Sequence, residues 1–171
     1  DKLTFTAWFI ADANVLIDYV KTSPEMLGLV SRHMGPVYVV ADVLEEVDEL
    51  DVARCQALGL TIVDGDLTQL AEASQSGGPL SFEDKLCLIL ARDNRWACLS
   101  NDGPLREACK AQDVPVVWGL EIMLALVEGQ HLTAAAAIEA AQAIHAVNPM
   151  FITAKVLAAF RHKVAEKSAK N

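Results

Sequence analysis

The chain lacks a hydrophobic run long enough to cross a membrane, which takes about 20 consecutive apolar residues. Its richest apolar stretch, 116–127, is interrupted by Gly119 and Glu121. The order of charged, apolar and small residues that marks a signal peptide is also missing near the N-terminus. These absences predict a protein that works in the cytoplasm without a membrane.

Cysteine motifs for metal binding or redox chemistry are missing as well. The chain has 4 cysteines and 4 histidines. No two cysteines form a Cys-x-x-Cys pair, and no histidine lies at a zinc-ligand spacing from them. Cys87 and Cys98 lie in apolar runs, as buried thiols do. We expect reduced, buried cysteines and assign no histidine a ligand role.

Two enzyme classes built on α/β sheets lack their motifs here. No Gly-x-Gly-x-x-Gly follows the first predicted strand, which disfavours a dinucleotide-binding sheet. An aspartate-nucleophile phosphatase needs Asp-x-Asp at that point, so that a second acid can protonate the leaving group. This chain has Asp12-Ala13-Asn14 instead. Neither class is therefore favoured.

Positive charge is scarce and unevenly placed. With 14 basic and 23 acidic residues, the net charge is −9, which argues against nonspecific binding to polyanions. The segment from Lys155 onward nevertheless carries a net charge of +4, and the preceding 154 residues carry −13. This basic tail either contacts phosphates or an acidic partner, or is the solvated end of a helix.

Strand and helix patterns alternate along the chain. Apolar and β-branched runs predict five strands, at 8–11, 37–40, 60–63, 96–99 and 114–117. Helical spacing predicts helices at 14–21, 24–34, 42–50, 66–74, 82–93, 103–111, 119–128, 133–147 and 152–166. This pattern predicts an α/β fold, a three-layer α/β/α sandwich with a central parallel sheet of about five strands and extra C-terminal helices.

Four acidic residues follow the predicted strands or lie early in the next helix: Asp12, Glu46, Asp84 and Asp102. If neighbouring strands are parallel, their carboxyl ends meet at one edge of the sheet, where ligands bind in such folds. Carboxylates clustered there cannot all stay ionised without a cation. Hard oxygen ligands suit Mg²⁺ or Mn²⁺. Metal-assisted phosphodiester chemistry is therefore the first hypothesis.

Helix capping is the structural alternative for three of these acids: Asp12, Asp84 and Asp102. Asp42 and Glu45 have the spacing of a capping box. That cap would leave Glu46 unexplained at the border of the apolar face predicted for this helix, which consists of Val43, Val47 and Leu50. Capping and metal binding are compatible, because a helix N-terminus lowers the pKa of a carboxylate.

The order of these motifs resembles that of the PIN-domain nucleases, which include the VapC-type toxins. The matching segments are Asp12-Ala13-Asn14, Val43 to Glu46, Ser81-Phe82-Glu83-Asp84 and Ser100-Asn101-Asp102. The resemblance places a PIN-like nuclease domain at 7–119. It leaves 120–171 as a helical extension, packed on the same domain and ending in the basic tail. That extension is more similar to stand-alone prokaryotic PIN proteins than to compact toxins.

The resemblance implies a metal-dependent endoribonuclease, which is either the toxin of a toxin–antitoxin pair or a stand-alone enzyme. Its Mg²⁺ or Mn²⁺ site would consist of Asp12, Glu46, Asp84 and Asp102, with Glu45 as the competitor of Glu46. Asn14 and Ser100 would orient these carboxylates or contact phosphate, or else make only turn and cap hydrogen bonds. The alternative function is a non-catalytic PIN module that binds RNA or a protein partner.

Contacts to RNA and to partners follow from the same resemblance. The nearest basic residues are Lys85, Arg92 and Arg106, which either contact the RNA backbone or are ordinary surface charges. Aromatic and basic residues do not interleave along the sequence as they do where single-stranded bases stack. The resemblance also implies an antitoxin or another protein as a partner, and we expect a homodimer formed through apolar residues at 15–34.

Overall fold

The computed structural model describes residues 8–170, and a parallel sheet of five strands lies at its centre. The strands are β1 (Phe9–Ala11), β2 (Val37–Val40), β3 (Leu60–Val63), β4 (Ala97–Leu99) and β5 (Val116–Val117). Their order across the sheet is β3-β2-β1-β4-β5, and each neighbouring pair is parallel. The predicted sheet is confirmed.

Helices cover both faces of this sheet, which confirms the predicted α/β sandwich. They are α1 (Ala13–Thr22), α2 (Glu25–His33), α3 (Val52–Leu58), α4 (Leu67–Ala73), α5 (Phe82–Asn94), α6 (Gly103–Ala111), α7 (Glu121–Glu128), α8 (Ala134–Val147) and α9 (Ala154–Ala169). None of the helices within residues 8–170 has the length and apolar character needed to cross a membrane.

The central strand β1 shows why the sheet forms. Phe9, Ile10 and Ala11 are completely buried, because β1 lies between β2 and β4 with helices on both faces. Fully buried parallel strands are apolar throughout and do not alternate with polar residues. Because β1 runs parallel to β2 and β4, its last residue and the polar residue after it lie at the carboxyl edge of the sheet.

The prediction of a helix at 42–50 is wrong. A 3-10 helix covers Ala41–Glu45, its N-cap Val40 makes no side-chain hydrogen bond, and the capping box does not form. Backbone bonds spanning three residues continue to Leu50, and the separate helix α3 then begins. Asp51 caps α3, its Oδ1 accepting from the Arg54 N–H at 2.8 Å. Helix α3 therefore begins as a separate helix at this cap, and the segment before it consists of tight turns.

The C-terminal helices pack onto the rest of the protein. Helix α9 packs against α7 and α8, while α8 contacts α1 and α7 contacts α2. Ile122, Met123 and Leu126 of α7 are completely buried. The predicted helical extension therefore shares a core with the sandwich, and the boundary between 119 and 120 stays a prediction.

The apolar residues at 15–34 also belong to this core. Their buried members are Val15, Leu16, Tyr19, Val20, Met26, Leu27, Val30 and Met34. These side chains are enclosed within one chain and are therefore not available for a dimer contact. Homodimer formation itself stays a prediction.

A buried polar contact joins α1 to α8. Asp18 is 5% exposed, and its two carboxylate oxygens accept from Asn148 Nδ2 at 3.0 and 3.1 Å. Burial raises the pKa of Asp18, and the hydrogen bond from Asn148 partly offsets that rise. Asn148 therefore stabilises the ionised form of Asp18.

We expect Asn148→Ala to lower the free energy of unfolding by about 2 kcal/mol at pH 8, because it leaves a buried carboxylate without its donor. The loss should shrink at pH 4, since a carboxyl whose folded pKa is raised costs least when protonated. Urea unfolding at both pH values measures this. In an Asp18→Asn background the same substitution should cost less, and an equal loss in both backgrounds would contradict the pairing.

Candidate active site

Asp12 follows β1 directly and is fixed by three hydrogen bonds. Its N–H donates to the Leu99 carbonyl at 3.1 Å, which ties it to β4. Oδ1 accepts from the Val15 N–H at 2.9 Å, so Asp12 caps α1. Oδ2 accepts from the Ser100 hydroxyl at 2.6 Å. Asp12 is only 2% exposed and is therefore held rigidly at the carboxyl edge of the sheet.

Ser100 links Asp12 to the fourth predicted acid. It follows β4, is completely buried, and its hydroxyl oxygen also accepts from the Asp102 N–H at 3.0 Å. Asp102 caps α6 through Oδ2, which accepts from the Leu105 N–H at 2.9 Å. The serine hydroxyl thus donates to the carboxylate of Asp12 and accepts from the backbone of Asp102, so it contacts one of the two carboxylates and also makes a turn hydrogen bond.

Asp84 lies on the first turn of α5. The N-cap of this helix is Ser81, whose hydroxyl accepts from the Asp84 N–H at 3.1 Å. Burial, followed by the charge of Asp102, raises the pKa of Asp84. The Ser81 side chain lowers the pKa of the Asp84 carboxyl in part.

The pKa of Asp12 depends on its burial and on the charges of the neighbouring acids. Burial raises it to about 6, although the hydrogen bonds from Ser100 and Val15 lower it in part. The charges of Asp84 and Asp102 raise it further. Three of the four predicted acids therefore influence one another electrostatically across the carboxyl edge.

Glu46 reaches the same group from an unexpected position. It follows the 3-10 helix as an exposed residue. The sequence analysis predicted that it would lie inside an α-helix, and that prediction is wrong. Its pKa is raised by desolvation and then by the charges of Glu83 and Asp84. We call Asp12, Glu46, Asp84 and Asp102 the carboxylate cluster. Between the two candidates for the second acid, the structure brings Glu46 beside Asp84.

Glu83 is an acid that the sequence analysis did not single out. It lies on the first turn of α5, and its charge raises the pKa of Glu46. The available signal was the adjacent pair Glu83-Asp84, two and three residues after the cap Ser81. Acidic residues at the start of a helix interact favourably with the helix dipole. This ordinary explanation gave no reason to assign Glu83 a further role.

No basic side chain is among the groups that shift the pKa values of Asp12, Glu46 and Asp84. Across residues 8–170, no three His, Cys, Asp or Glu side chains are arranged to hold a metal ion by themselves. Mg²⁺ commonly uses only one or two carboxylates, with waters and substrate phosphates completing its shell. An uncompensated, open cluster of hard oxygens fits that mode of binding.

The structure does not bring Lys85 or Arg92 into the cluster with a free cationic group. Lys85 Nζ donates to the Gln75 carbonyl at 2.5 Å. Arg92 makes a bidentate pair with Glu72, both bonds being 2.8 Å long. It also lies eight residues beyond Asp84 on α5, or about 12 Å along the helix axis. Asn14, in contrast, is exposed on the first turn of α1, two residues after Asp12.

Arg106 lies next to the cluster but is only 6% exposed. Its Nη1 donates to the Ser100 carbonyl at 2.9 Å. Its guanidinium stacks on Trp118, with Cζ 3.4 Å from the ring centroid. These contacts support the turn that carries Ser100 and Asp102, so Arg106 acts as a buried support for the site.

The fold has a counterpart among solved structures. A PilT N-terminus (PIN) domain protein from the hyperthermophilic archaeon Sulfolobus solfataricus P2 superimposes with a TM-score of 0.50 at 10% sequence identity. The match covers 69% of this chain and 92% of that one. No protein-family model and no curated protein sequence match this chain. Since fold alone does not fix function, the comparison establishes that the chain has a PIN-like fold.

Proposed function

We propose that this protein is a metal-dependent endoribonuclease that hydrolyses RNA phosphodiester bonds at the carboxylate cluster. The supporting observation is that uncompensated carboxylates converge at the carboxyl edge of a parallel sheet. Open α/β sheets bind their ligands at that edge. Asp12, Glu46, Asp84 and Asp102 would hold the cation, and Mg²⁺ and Mn²⁺ suit their oxygen ligands.

The chain's own residues prepare the site before substrate binds. Ser100 and the Val15 N–H hold both oxygens of Asp12, so this carboxylate needs little reorganisation. Since the pKa of Asp12 is about 6, its ionised form prevails at pH 7 and above. A bound divalent cation supplies a water of lowered pKa and neutralises charge on the phosphoryl oxygens.

The negative charge of the chain is compatible with an RNA substrate. A cation held by these carboxylates would offset their charge and attract a phosphate, so an acidic surface could hold RNA at one point. The structure also offers one observation for the non-catalytic alternative, a PIN-like module that binds RNA or protein. That observation is the lack, within residues 8–170, of a preformed group of three metal ligands.

Cleavage of a mixed pool of structured RNAs in Mg²⁺, Mn²⁺ or EDTA tests the proposal. The wild-type protein should cleave only with metal. Glu46→Gln should lower kcat/KM about 100-fold, because it removes charge beside Asp84. Glu45→Gln is the matched control, and its activity should stay within about twofold of wild type, since Glu45 is exposed next to Glu46.

Two results would count against the nuclease. Equal losses in the two glutamine variants would remove Glu46 from the site. A folded, pure protein that neither cleaves RNA nor takes up Mg²⁺ or Mn²⁺ by calorimetry would favour the non-catalytic module.

A further inference from the structure

A cavity of about 240 Å³ lies beyond the end of β5, at the carboxyl edge of the sheet. Its wall includes Asn101, the residue before Asp102, and Trp118, the ring that Arg106 supports. Helix α9 and the segment before it close the opposite side with Phe151 and Lys163. We call this space the side cavity. Nothing in the proposed hydrolysis uses it.

Trp118 forms a fixed and accessible aromatic surface in this cavity. Its side chain is 47% exposed, although the guanidinium of Arg106 covers one face of the ring. The Trp118 N–H donates to Glu121 Oε1 at 3.1 Å, which also fixes its backbone. Trp118 thus lines the cavity with a ring that is already held in place, so stacking on its exposed part has little entropic cost. Such platforms stack nucleobases, because every base has a π-face.

Polar groups in the cavity suit the edge of a base. Asn101 Oδ1 accepts from the Gly119 N–H at 2.9 Å, which fixes the orientation of the amide. Asn101 Nδ2 is then left as a donor, and the Glu121 carboxylate is an acceptor on the same wall. Donor and acceptor groups of this kind read base edges.

Size and charge favour one base of an RNA strand over a larger ligand. Pockets for drug-sized molecules measure about 300–1,000 Å³, and this cavity is smaller. Lys163 on its wall belongs to the basic segment that begins at Lys155. An RNA strand bound here needs positive charge beside its phosphates, and this segment supplies it.

We infer that the side cavity binds one unpaired base of an RNA strand by stacking it on Trp118, next to the phosphate that reaches the carboxylate cluster. The inference rests on the proposed function for its substrate class. The binding site itself is independent of catalysis.

Binding of adenosine in EDTA tests the cavity without RNA, cation or cleavage. Nitrogen-15 spectra report the three tryptophan indole N–H groups, and Trp118→Phe identifies one of them by its loss. Adenosine should shift the Trp118 signal in a dose-dependent way and leave Trp8 unmoved. Trp8 is a matched control, since it is 51% exposed but precedes β1 at the other edge of the sheet. Ribose, which has no base, should shift neither.

Two neighbouring alanines of α9 provide matched variants. Ala159 lines the cavity, and the adjacent Ala158 is exposed and is not part of its wall. Ala159→Phe should weaken adenosine binding about tenfold by filling the space, whereas Ala158→Phe should not change it. With RNA as the substrate, Ala159→Phe should raise KM and leave kcat unchanged.

Three outcomes would overturn the inference. The Trp118 signal could fail to respond to adenosine, or could respond equally in both alanine variants. It could also move with protein concentration alone, which would show a second copy covering the cavity. Adenosine binding by a protein that cleaves no RNA would support the base site and refute only the nuclease. RNA cleavage without adenosine binding would support the nuclease and refute the base site.

Discussion

Asp12→Asn is expected to abolish RNA cleavage and, at the same time, to stabilise the metal-free protein at pH 8. The loss of kcat/KM should be about 100- to 1,000-fold, because the substitution removes a fixed charge from the centre of the carboxylate cluster. The fold should survive, since Asn caps helices as well as Asp does. Activity and stability should therefore change in opposite directions.

The gain in stability follows from the pKa of Asp12, which burial raises from 3.8 to about 6. A carboxyl with a raised folded pKa contributes fully below its unfolded pKa, and that contribution is lost as the pH rises through the folded value. The wild-type protein should thus lose stability between about pH 4 and pH 7. A shift of this size corresponds to about 3 kcal/mol at most, and the asparagine variant escapes the loss.

Urea unfolding in EDTA at pH 5 and pH 8 measures this difference. The advantage of Asp12→Asn should be larger at pH 8, and added Mg²⁺ should raise the Tm of the wild type only. Asp51→Asn is the matched control, since Asp51 is also an aspartate N-cap but is exposed. If Asp12→Asn is no more stable at pH 8 than wild type, Asp12 serves only as a cap.

Arg106→Met should lower the free energy of unfolding by about 2–4 kcal/mol. The substitution leaves the buried Ser100 carbonyl without its donor, which costs about 1–3 kcal/mol. It also removes the guanidinium from the Trp118 ring, a contact worth about 1–2 kcal/mol when desolvated. Arg106→Lys should recover little of this, because an ammonium group cannot make both contacts.

Chemical unfolding distinguishes this role from the RNA contact that the sequence suggested for Arg106. Arg92→Met is the control, since Arg92 is a partly exposed ion-pairing residue whose loss should cost about 1 kcal/mol or less. A wild-type Tm in Arg106→Met, together with a raised KM for RNA, would restore the substrate-binding role. A lowered Tm with little change in KM would support the buried one.

Some elements were predictable because their signals are local. Strands β2 and β3 were predicted at 37–40 and 60–63, the bounds that the structure shows. Each begins after a glycine-containing turn and is rich in β-branched residues. Helix α6 was also predicted with its observed bounds, since Asp102 caps it and a proline follows in its first turn. These residues determine their backbone within one turn.

Other features depend on contacts that sequence spacing does not reveal. Val43, Val47 and Leu50 are all buried, as the predicted helix required, but a series of tight turns buries the same spacing. Apolar periodicity therefore did not distinguish the two. The side cavity was missed for another reason. Trp118, Phe151 and Lys163 come from separate segments, so no aromatic and basic pattern along the chain could reveal them.

The hydrogen bond between Ser100 and Asp12 has a consequence for synthesis of the chain. The two residues are 88 positions apart, and β1 pairs with β4 only after β4 exists. A ribosome makes the N-terminal part first. A growing chain therefore carries Asp12 without its partner until residue 100 has emerged, and contacts this distant form late and slowly. The acidic site thus matures only after Ser100 and Asp102 have been translated, and a product truncated before them lacks it.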